Sequence, residues 1–351
     1  MSDILIVYAS FGQGHKQAGL ALRESLGAHC LDLLDFCPAF LKKLYSLSYI
    51  IITQNFHFLW KLLFFCTKKK YFCACLDKIH RIIFSGFISY LKKNKPKVII
   101  TTHFFPPSLV TQVKNELGIK VISVITDLRV HPLWVNNCID YYFAATAVTE
   151  KDLINLGVSK EKIFSGFVPL RKGFLQSTSL KTVNEKFGLK MRPSVLFVSS
   201  IRGKFPYLKE SINKILEDFN IFLIYGKNKK LKKFLDRLNS PNIKLFDFHK
   251  QIWELMSASF CLVTKPGGLT VFEGIYKKKA FIFTHYIPGH EKENMDLLIE
   301  TGVAKFVSNK FELLEALNYF KEKYNDFKNY PFEVKDMSVP LNRLIKDLTN
   351  A

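Results

Sequence analysis

Residues 260–274, FCLVTKPGGLTVFEG, join a strand pattern to a helix pattern through two adjacent glycines. The run FCLVT is apolar and contains β-branched and aromatic residues, which is typical of a buried strand. After the glycines, apolar residues recur at helical spacing from Leu269 to Tyr276. A buried strand that turns directly into a helix is the repeating unit of parallel α/β sheets. The stretch therefore predicts an α/β fold.

The same alternation runs along most of the 351 residues. Strand patterns separated by helical patterns lie at 4–9, 97–103, 120–126, 141–146, 194–200, 221–226, 243–248, 260–264 and 280–285. The alternation stops after 166 and restarts at 194, and this chain length suits two domains of roughly 150 residues each. We therefore predict two doubly wound α/β domains at 1–166 and 191–335. A linker at 167–190 joins them, and a C-terminal helix at 336–351 packs back on the first domain.

Composition limits the class of protein. A net charge of +21 is typical of proteins that bind nucleic acid, an anionic membrane or a phosphorylated substrate. An AT-rich genome that overuses Lys would produce the same charge without any such partner. The seven cysteines show no paired framework and no zinc-ligand spacing, so we expect a reduced cytosolic compartment and no metal site. The chain begins with a strand pattern rather than a secretory signal. Polar residues such as Gln54 and Lys61 interrupt the longest apolar stretch, 45–65, so we expect no transmembrane helix.

The segment 40–95 interrupts the alternation. It carries eleven Lys or Arg, thirteen aromatic residues and a single acid, Asp77. Either it is an ordinary inserted helix pair, or it is a surface that lies on an anionic bilayer, where aromatic rings and lysines both bind. A groove for single-stranded nucleic acid is less favoured because no RNA-binding motif accompanies it. The candidate membrane residues are Lys42, Lys43, Trp60, Lys68, Lys69 and Lys70.

Three polar turns follow predicted strands. Gly267 and Gly268 would let a diphosphate approach the backbone at a helix N-terminus, and Glu273 could then bind a ribose. The alternative is a tight turn with a solvated Glu273. The next turn, YIPGHEKENM at 286–295, places His290, Glu291 and Asn294 at a helix start, as a sugar site requires. SFGQGHKQ at 10–17 places His15 at the mouth of the first sheet, although it is a weak nucleotide signature.

Seven stretches carry a resemblance to a known family. ASFGQGHKQA, ITDLRVHPLWV, DYYFAAT, GFVPLR, YGKN, TKPGGLTVFEG and IPGHEKEN occur in the order found in the diacylglycerol glycosyltransferases. That family includes monogalactosyldiacylglycerol synthase and processive diacylglycerol glucosyltransferase. The chain is similar more distantly to the N-acetylglucosaminyltransferase that completes the peptidoglycan lipid precursor. The resemblance covers about 3–305 and implies a GT-B fold, in which two Rossmann-like domains face a cleft. The UDP-sugar would then bind the C-terminal domain and the lipid acceptor the N-terminal one.

The resemblance also assigns residues. It implies that His15 is the general base and that Asp127 assists it. The positions it gives to the donor are Gly267, Gly268, Glu273, His290, Glu291 and Asn294. We add to them, as donor candidates, Arg202, Gly226, Lys265, Leu269 and Thr270. Those it gives to the acceptor are Gly12, Gly14, His131 and Trp134. Two positions depart from the family: relatives usually have Gln at His290, and they have a glycine-rich loop where residues 199–203 are SSIRG.

The sequence therefore predicts an inverting glycosyltransferase on the cytoplasmic face of a membrane. It would move a hexose from UDP-glucose or UDP-galactose to diacylglycerol or a glycosyl-diacylglycerol. We expect no cofactor and no catalytic metal, since the chain contains no DxD sequence, and no nucleic-acid partner. The alternatives are transfer to another lipid-linked acceptor, a nucleotide-sugar epimerase, and a catalytically degenerate membrane-binding relative.

Overall fold

The computed structural model describes residues 3–10, 13–45, 79–198, 205–323 and 330–350, with 52, 56, 58, 62 and 65–67 between them. Its described part contains two six-stranded parallel sheets surrounded by helices, so the predicted α/β class is confirmed. The predictions made at Gly12, Trp60, Lys68, Lys69, Lys70 and Arg202, and for the loop 199–203, lie outside the described residues.

The first sheet has the spatial order β2–β1–β3–β4–β5–β6. Its strands are β1 Ile4–Tyr8, β2 His29–Asp32, β3 Val98–Thr101, β4 Lys120–Val124, β5 Tyr141–Ala144 and β6 Ile163–Ser165. The helices that accompany it are α1 Gln13–Leu26, α2 Ser85–Asn94, α3 Phe105–Val110, α4 Lys114–Leu117 and α5 Ala147–Asn155. Val98, Ile99 and Ile100 are completely buried, because helices cover both faces of the sheet.

The second sheet has the spatial order β10–β9–β8–β11–β12–β13. Its strands are β8 Ser194–Val198, β9 Asn220–Ile224, β10 Ile243–Phe246, β11 Ser259–Thr264, β12 Ala280–Phe283 and β13 Ala304–Phe306. Its helices are α6 Leu180–Phe187, α7 Leu208–Asp218, α8 Lys229–Asp236, α9 Ile252–Ala258, α10 Gly268–Tyr276, α11 His290–Glu300 and α12 Lys310–Lys323. The strand order reverses between β8 and β11, so the glycine turn after β11 lies where ligands bind in open α/β sheets.

The chain passes between the two sheets twice. The short strands β7 Phe167–Val168 and β14 Lys335–Asp336 pair in parallel, and the last helix, α13 Ser338–Asn350, then packs on the first sheet. The expected linker 167–190 is itself folded: it contains β7 and α6, and Phe174 and Val183 join the core of the second sheet. We propose domain boundaries near 166 and 336 on this basis.

None of the helices within the described part of the chain combines the length and the apolar character that crossing a bilayer requires.

The packing of α13 on the first sheet leads to a stability prediction. Leu341 is completely buried there, whereas Val339 on the same helix is 78% exposed. We expect Leu341→Ala to lower the free energy of unfolding by about 2–5 kcal/mol, because it leaves a cavity. Val339→Ala, the matched control, should change it by less than about 0.5 kcal/mol. Equal losses for both variants in denaturant unfolding would contradict this packing.

Candidate active site

The two sheets meet where the turn after β4 touches the turn after β11. A methyl group built on Gly268 would lie 1.8 Å from the carbonyl oxygen of Thr126 and 3.6 Å from Oδ1 of Asp127. Gly268 begins α10 with ordinary backbone angles, so this close approach, and not a left-handed conformation, requires glycine here. The structure therefore brings predicted residues from both domains into direct contact.

Asn294 holds this contact together. Its side chain is completely buried, and Oδ1 accepts a hydrogen bond from the Leu128 N–H at 2.9 Å. Its Nδ2 donates to the carbonyl of Pro266 at 3.3 Å. The predicted sugar-binding amide thus bonds backbone groups of both turns in this structure. Because a buried backbone N–H needs a partner, the contact depends on this side chain.

His15 lies in the first turn of α1 and faces the same contact. Its Nδ1 is 2.7 Å from the carbonyl oxygen of Thr102 and 3.0 Å from Oγ1 of Thr126. A carbonyl oxygen only accepts hydrogen bonds, so Nδ1 carries the proton and donates it to Thr102. The neutral ring therefore has its lone pair on Nε2, which is the nitrogen able to take a proton from a substrate.

The surroundings of His15 favour its neutral form. His15 is half-buried, and neighbouring atoms exclude most water from its ring; this desolvation lowers the pKa of His15. The Asp127 carboxylate and the Thr102 carbonyl oppose that decrease, while His290 adds to it. A pKa below the usual value keeps the imidazole unprotonated near neutral pH, as a general base must be.

Two buried carboxylates, on helices α10 and α11 of the second sheet, each form an ion pair with a positively charged side chain. Glu273 on α10 is 2% exposed, and its Oε1 accepts from Nε of Arg171 at 2.9 Å. Burial raises the pKa of Glu273, and the Arg171 guanidinium offsets part of that increase. Arg171 was missed in the sequence as a functional residue, although it ends the quoted stretch GFVPLR. Only the fold brings it to Glu273, which is 102 positions away.

The second pair joins the glycine turn to the next one. Glu291 is 2% exposed, forms an ion pair with Lys265, and accepts from the Ile287 N–H at 2.8 Å. Burial alone would raise the pKa of Glu291, but Lys265 and His290 hold it below its usual value. The Glu291 carboxylate thus fixes the two turns of the second sheet relative to each other.

The acceptor candidates form an aromatic wall on the first sheet. Trp134 is 1% exposed, and its ring centroid lies 6.2 Å from that of His15 and 5.9 Å from that of Phe104. His103 stacks on Phe104 at 4.2 Å. His131 uses Nδ1 to accept from the Leu133 N–H at 3.2 Å, which holds the turn that carries Trp134.

The remaining candidates lie at different distances from the contact. Leu269 and Thr270 are in the first turn of α10, and Gly14 opens α1 beside His15. Gly226 lies two residues after β9, and β8 separates that strand from β11. Lys42 and Lys43 are on the segment after β2, where Lys42 pairs with Asp35. Within the described ranges, no group of three His, Cys, Asp or Glu side chains is arranged to hold a metal ion.

Comparison with known proteins agrees with the predicted resemblance. Residues 15–168 match the family model described as monogalactosyldiacylglycerol (MGDG) synthase. A processive diacylglycerol beta-glucosyltransferase of Bacillus licheniformis is 28% identical over 348 residues, which span 93% of this chain and 89% of that protein. The chain is similar to diacylglycerol glycosyltransferases. The resemblance predicted from the seven stretches is thereby confirmed.

Solved structures identify the fold. MurG of Acinetobacter baumannii superposes with a TM-score of 0.59 at 13% identity, over 99% of both chains. The UDP-GlcNAc 2-epimerase of Methanocaldococcus jannaschii gives 0.57 at 17% identity, also over 99% of both. At such identities the similarity concerns the fold alone. The predicted GT-B architecture is confirmed.

The close approach at Gly268 can be tested by adding a methyl group. Gly268→Ala should force the two turns apart, because overpacking of this kind costs about 1–3 kcal/mol. We expect a larger radius of gyration in solution X-ray scattering. Gly267→Ala is the matched control: its methyl would lie 3.4 Å from the flexible Nζ of Lys265 and should leave the scattering unchanged. Identical scattering from both variants would show that the turns do not touch in solution.

Proposed function

We propose that the chain is an inverting hexosyltransferase that uses a UDP-sugar to glycosylate diacylglycerol or a glycosyl-diacylglycerol. The observation that carries the proposal is the position of a neutral histidine base directly across a domain contact from a glycine turn. His15 belongs to the first domain and Gly268 to the second, and Thr126 contacts both. The similarity to diacylglycerol glycosyltransferases supplies the substrate class.

The donor half follows from the turns of the second sheet. Gly267, the N-cap of α10, provides no side-chain cap, so the backbone N–H groups of the first helical turn could bind a diphosphate, and Gly267 has no side chain to hinder its approach. Lys265 adds a positive charge beside that turn. These groups would stabilise the departing UDP without a metal ion. Glu273, oriented by Arg171, is proposed to bind the ribose.

The transfer step needs one proton acceptor. Nε2 of His15 takes the proton of the lipid hydroxyl, and that oxygen attacks the anomeric carbon from the side opposite UDP. The bond between that carbon and the diphosphate oxygen breaks, so UDP leaves with the bonding electrons and the sugar inverts. The imidazolium formed on His15 is stabilised by Asp127, whose charge raises the pKa of His15.

Access to the membrane is proposed through the segment after β2 and before α2. Phe40 is 70% exposed and Ile82 is 78% exposed, and the exposed Lys43 lies on the same segment. Such a combination suits the interface of an anionic bilayer. His80, two positions before Ile82, is buried, and its ring centroid lies 4.1 Å from that of Phe105. From Phe105, ring contacts continue through His103 to His15, at centroid distances of 5.8 and 4.6 Å.

The proposal is tested by incubating the purified protein with labelled UDP-glucose or UDP-galactose and vesicles that contain diacylglycerol. We expect a glycolipid of inverted anomeric configuration from one of the two donors, formed faster on phosphatidylglycerol vesicles than on neutral ones. His15→Ala should lower the rate by about 10²–10⁴ while UDP binding measured by calorimetry stays the same.

Three results would contradict the proposal. They are the absence of lipid product from both donors, epimerisation of the UDP-sugar without a lipid, and near-normal turnover by His15→Ala. Equal rates on neutral and anionic vesicles would contradict only the proposed binding to an anionic membrane.

A further inference from the structure

We propose that Thr126 is a positioning residue that aligns His15 and ties it to the donor turn. The inference rests on the proposed function, because it concerns the same base. It goes beyond the family resemblance, which points to Asp127 and gives no role to Thr126.

The hydroxyl of Thr126 contacts the base. Its Oγ1 is 3.0 Å from Nδ1 of His15, and the Thr126 side chain is almost completely buried. Thr102 contributes two further contacts: its carbonyl accepts from Nδ1, and its Oγ1 donates to the His15 carbonyl at 2.9 Å. The ring and backbone of His15 are therefore both fixed to the ends of β3 and β4.

The carbonyl of the same residue contacts the donor side. A methyl carbon built on Gly268 would lie only 1.8 Å from this carbonyl oxygen. Two residues later, the Leu128 N–H is held by Asn294. Thr126 therefore touches the base through its side chain and the donor turn through its backbone. Movement of the donor turn against Thr126 would move the imidazole as well.

The chemistry gives the hydroxyl a defined role. When Nε2 takes a proton, the ring becomes cationic and its Nδ1–H becomes a stronger donor to Thr102 and Thr126. Among the described residues, the charged and titratable groups that face the ring are Asp127 after β4, His103 after β3 and His290 at the start of α11. Burial keeps the pKa of His103 well below its usual value, so His103 is neutral there. The Thr126 hydroxyl adds a neutral acceptor that favours the cation.

The test compares Thr126→Val, Thr126→Ser and Thr149→Val. Thr149 is the matched control, because it is also a buried threonine, and its hydroxyl donates to the Leu128 carbonyl at 2.9 Å rather than contacting His15. For Thr126→Val we expect kcat to fall about tenfold, with UDP affinity unchanged. The acidic limb of the kcat/KM profile should move to lower pH, because loss of the acceptor disfavours protonated His15.

Thr126→Ser should restore kcat and return the acidic limb of the kcat/KM profile to its wild-type pH. Thr149→Val should leave that limb at the wild-type pH. Coincident profiles for Thr126→Val and wild type, or no rescue by serine, would overturn the proposal.

A readout without turnover separates this proposal from the proposed function. Spectra of ¹⁵N-labelled histidine in the full chain report the tautomer and pKa of His15 directly. We expect a proton on Nδ1 in the wild type and a lower pKa of His15 in Thr126→Val than in wild type or Thr126→Ser. An unchanged pKa would overturn the positioning role even if sugar transfer occurs. If no transfer occurs, the proposed function fails and the spectra still decide the role of Thr126.

Discussion

The close contact between the Thr126 carbonyl and the bare Cα of Gly268 is the constraint on which the rest of the site depends. Each sheet could form without it, but the groups proposed to bind donor and acceptor lie on different sheets. Only a residue without a side chain permits this approach. Asn294 then closes the contact by bonding the backbone on both sides. The proposed active site therefore depends on the contact between the two sheets.

The buried carboxylates around this contact are also held in place by specific partners. Glu273 and Glu291 are nearly inaccessible to water, and an unpaired carboxylate in such a place would cost several kcal/mol. Arg171 and Lys265 remove that cost and also fix the carboxylates in position. Arg171 comes from the segment between the sheets, so pairing it with Glu273 connects that segment to α10. The carboxylate proposed to bind the ribose is thus also a partner in a structural ion pair.

Sequence patterns predicted the central strands of both sheets, but of the four edge strands they predicted only β10, at 243–248. Strands such as β3 and β11 are buried on both faces, so their apolar runs are unmistakable. The edge strands β2 and β6 were not predicted, because one carries His, Cys and Asp and the other has only three half-buried residues. Short polar strands of this kind are stabilised by their neighbours rather than by their own composition.

The sequence predicted which turns form the candidate site, but it did not predict the side-chain contacts between those turns. The glycine pair and His15 stood out because each follows a strong strand pattern. The bonds of Asn294 to Leu128 and of Arg171 to Glu273 span 166 and 102 positions, and no local pattern encodes such distances. The sequence did not indicate a role for Thr126, because a threonine that follows a buried strand is common for purely structural reasons.

Hydrogen exchange at the Leu128 amide tests most directly whether the two domains meet as described. This N–H is buried and bonded to Asn294, so we predict slow exchange in the wild type and much faster exchange in Asn294→Ala. The amide of Ile99, in the centre of the first sheet, should be unaffected and serves as the control for global unfolding. Rapid exchange of the Leu128 amide in the wild type, or the same slow rate in Asn294→Ala, would contradict the account.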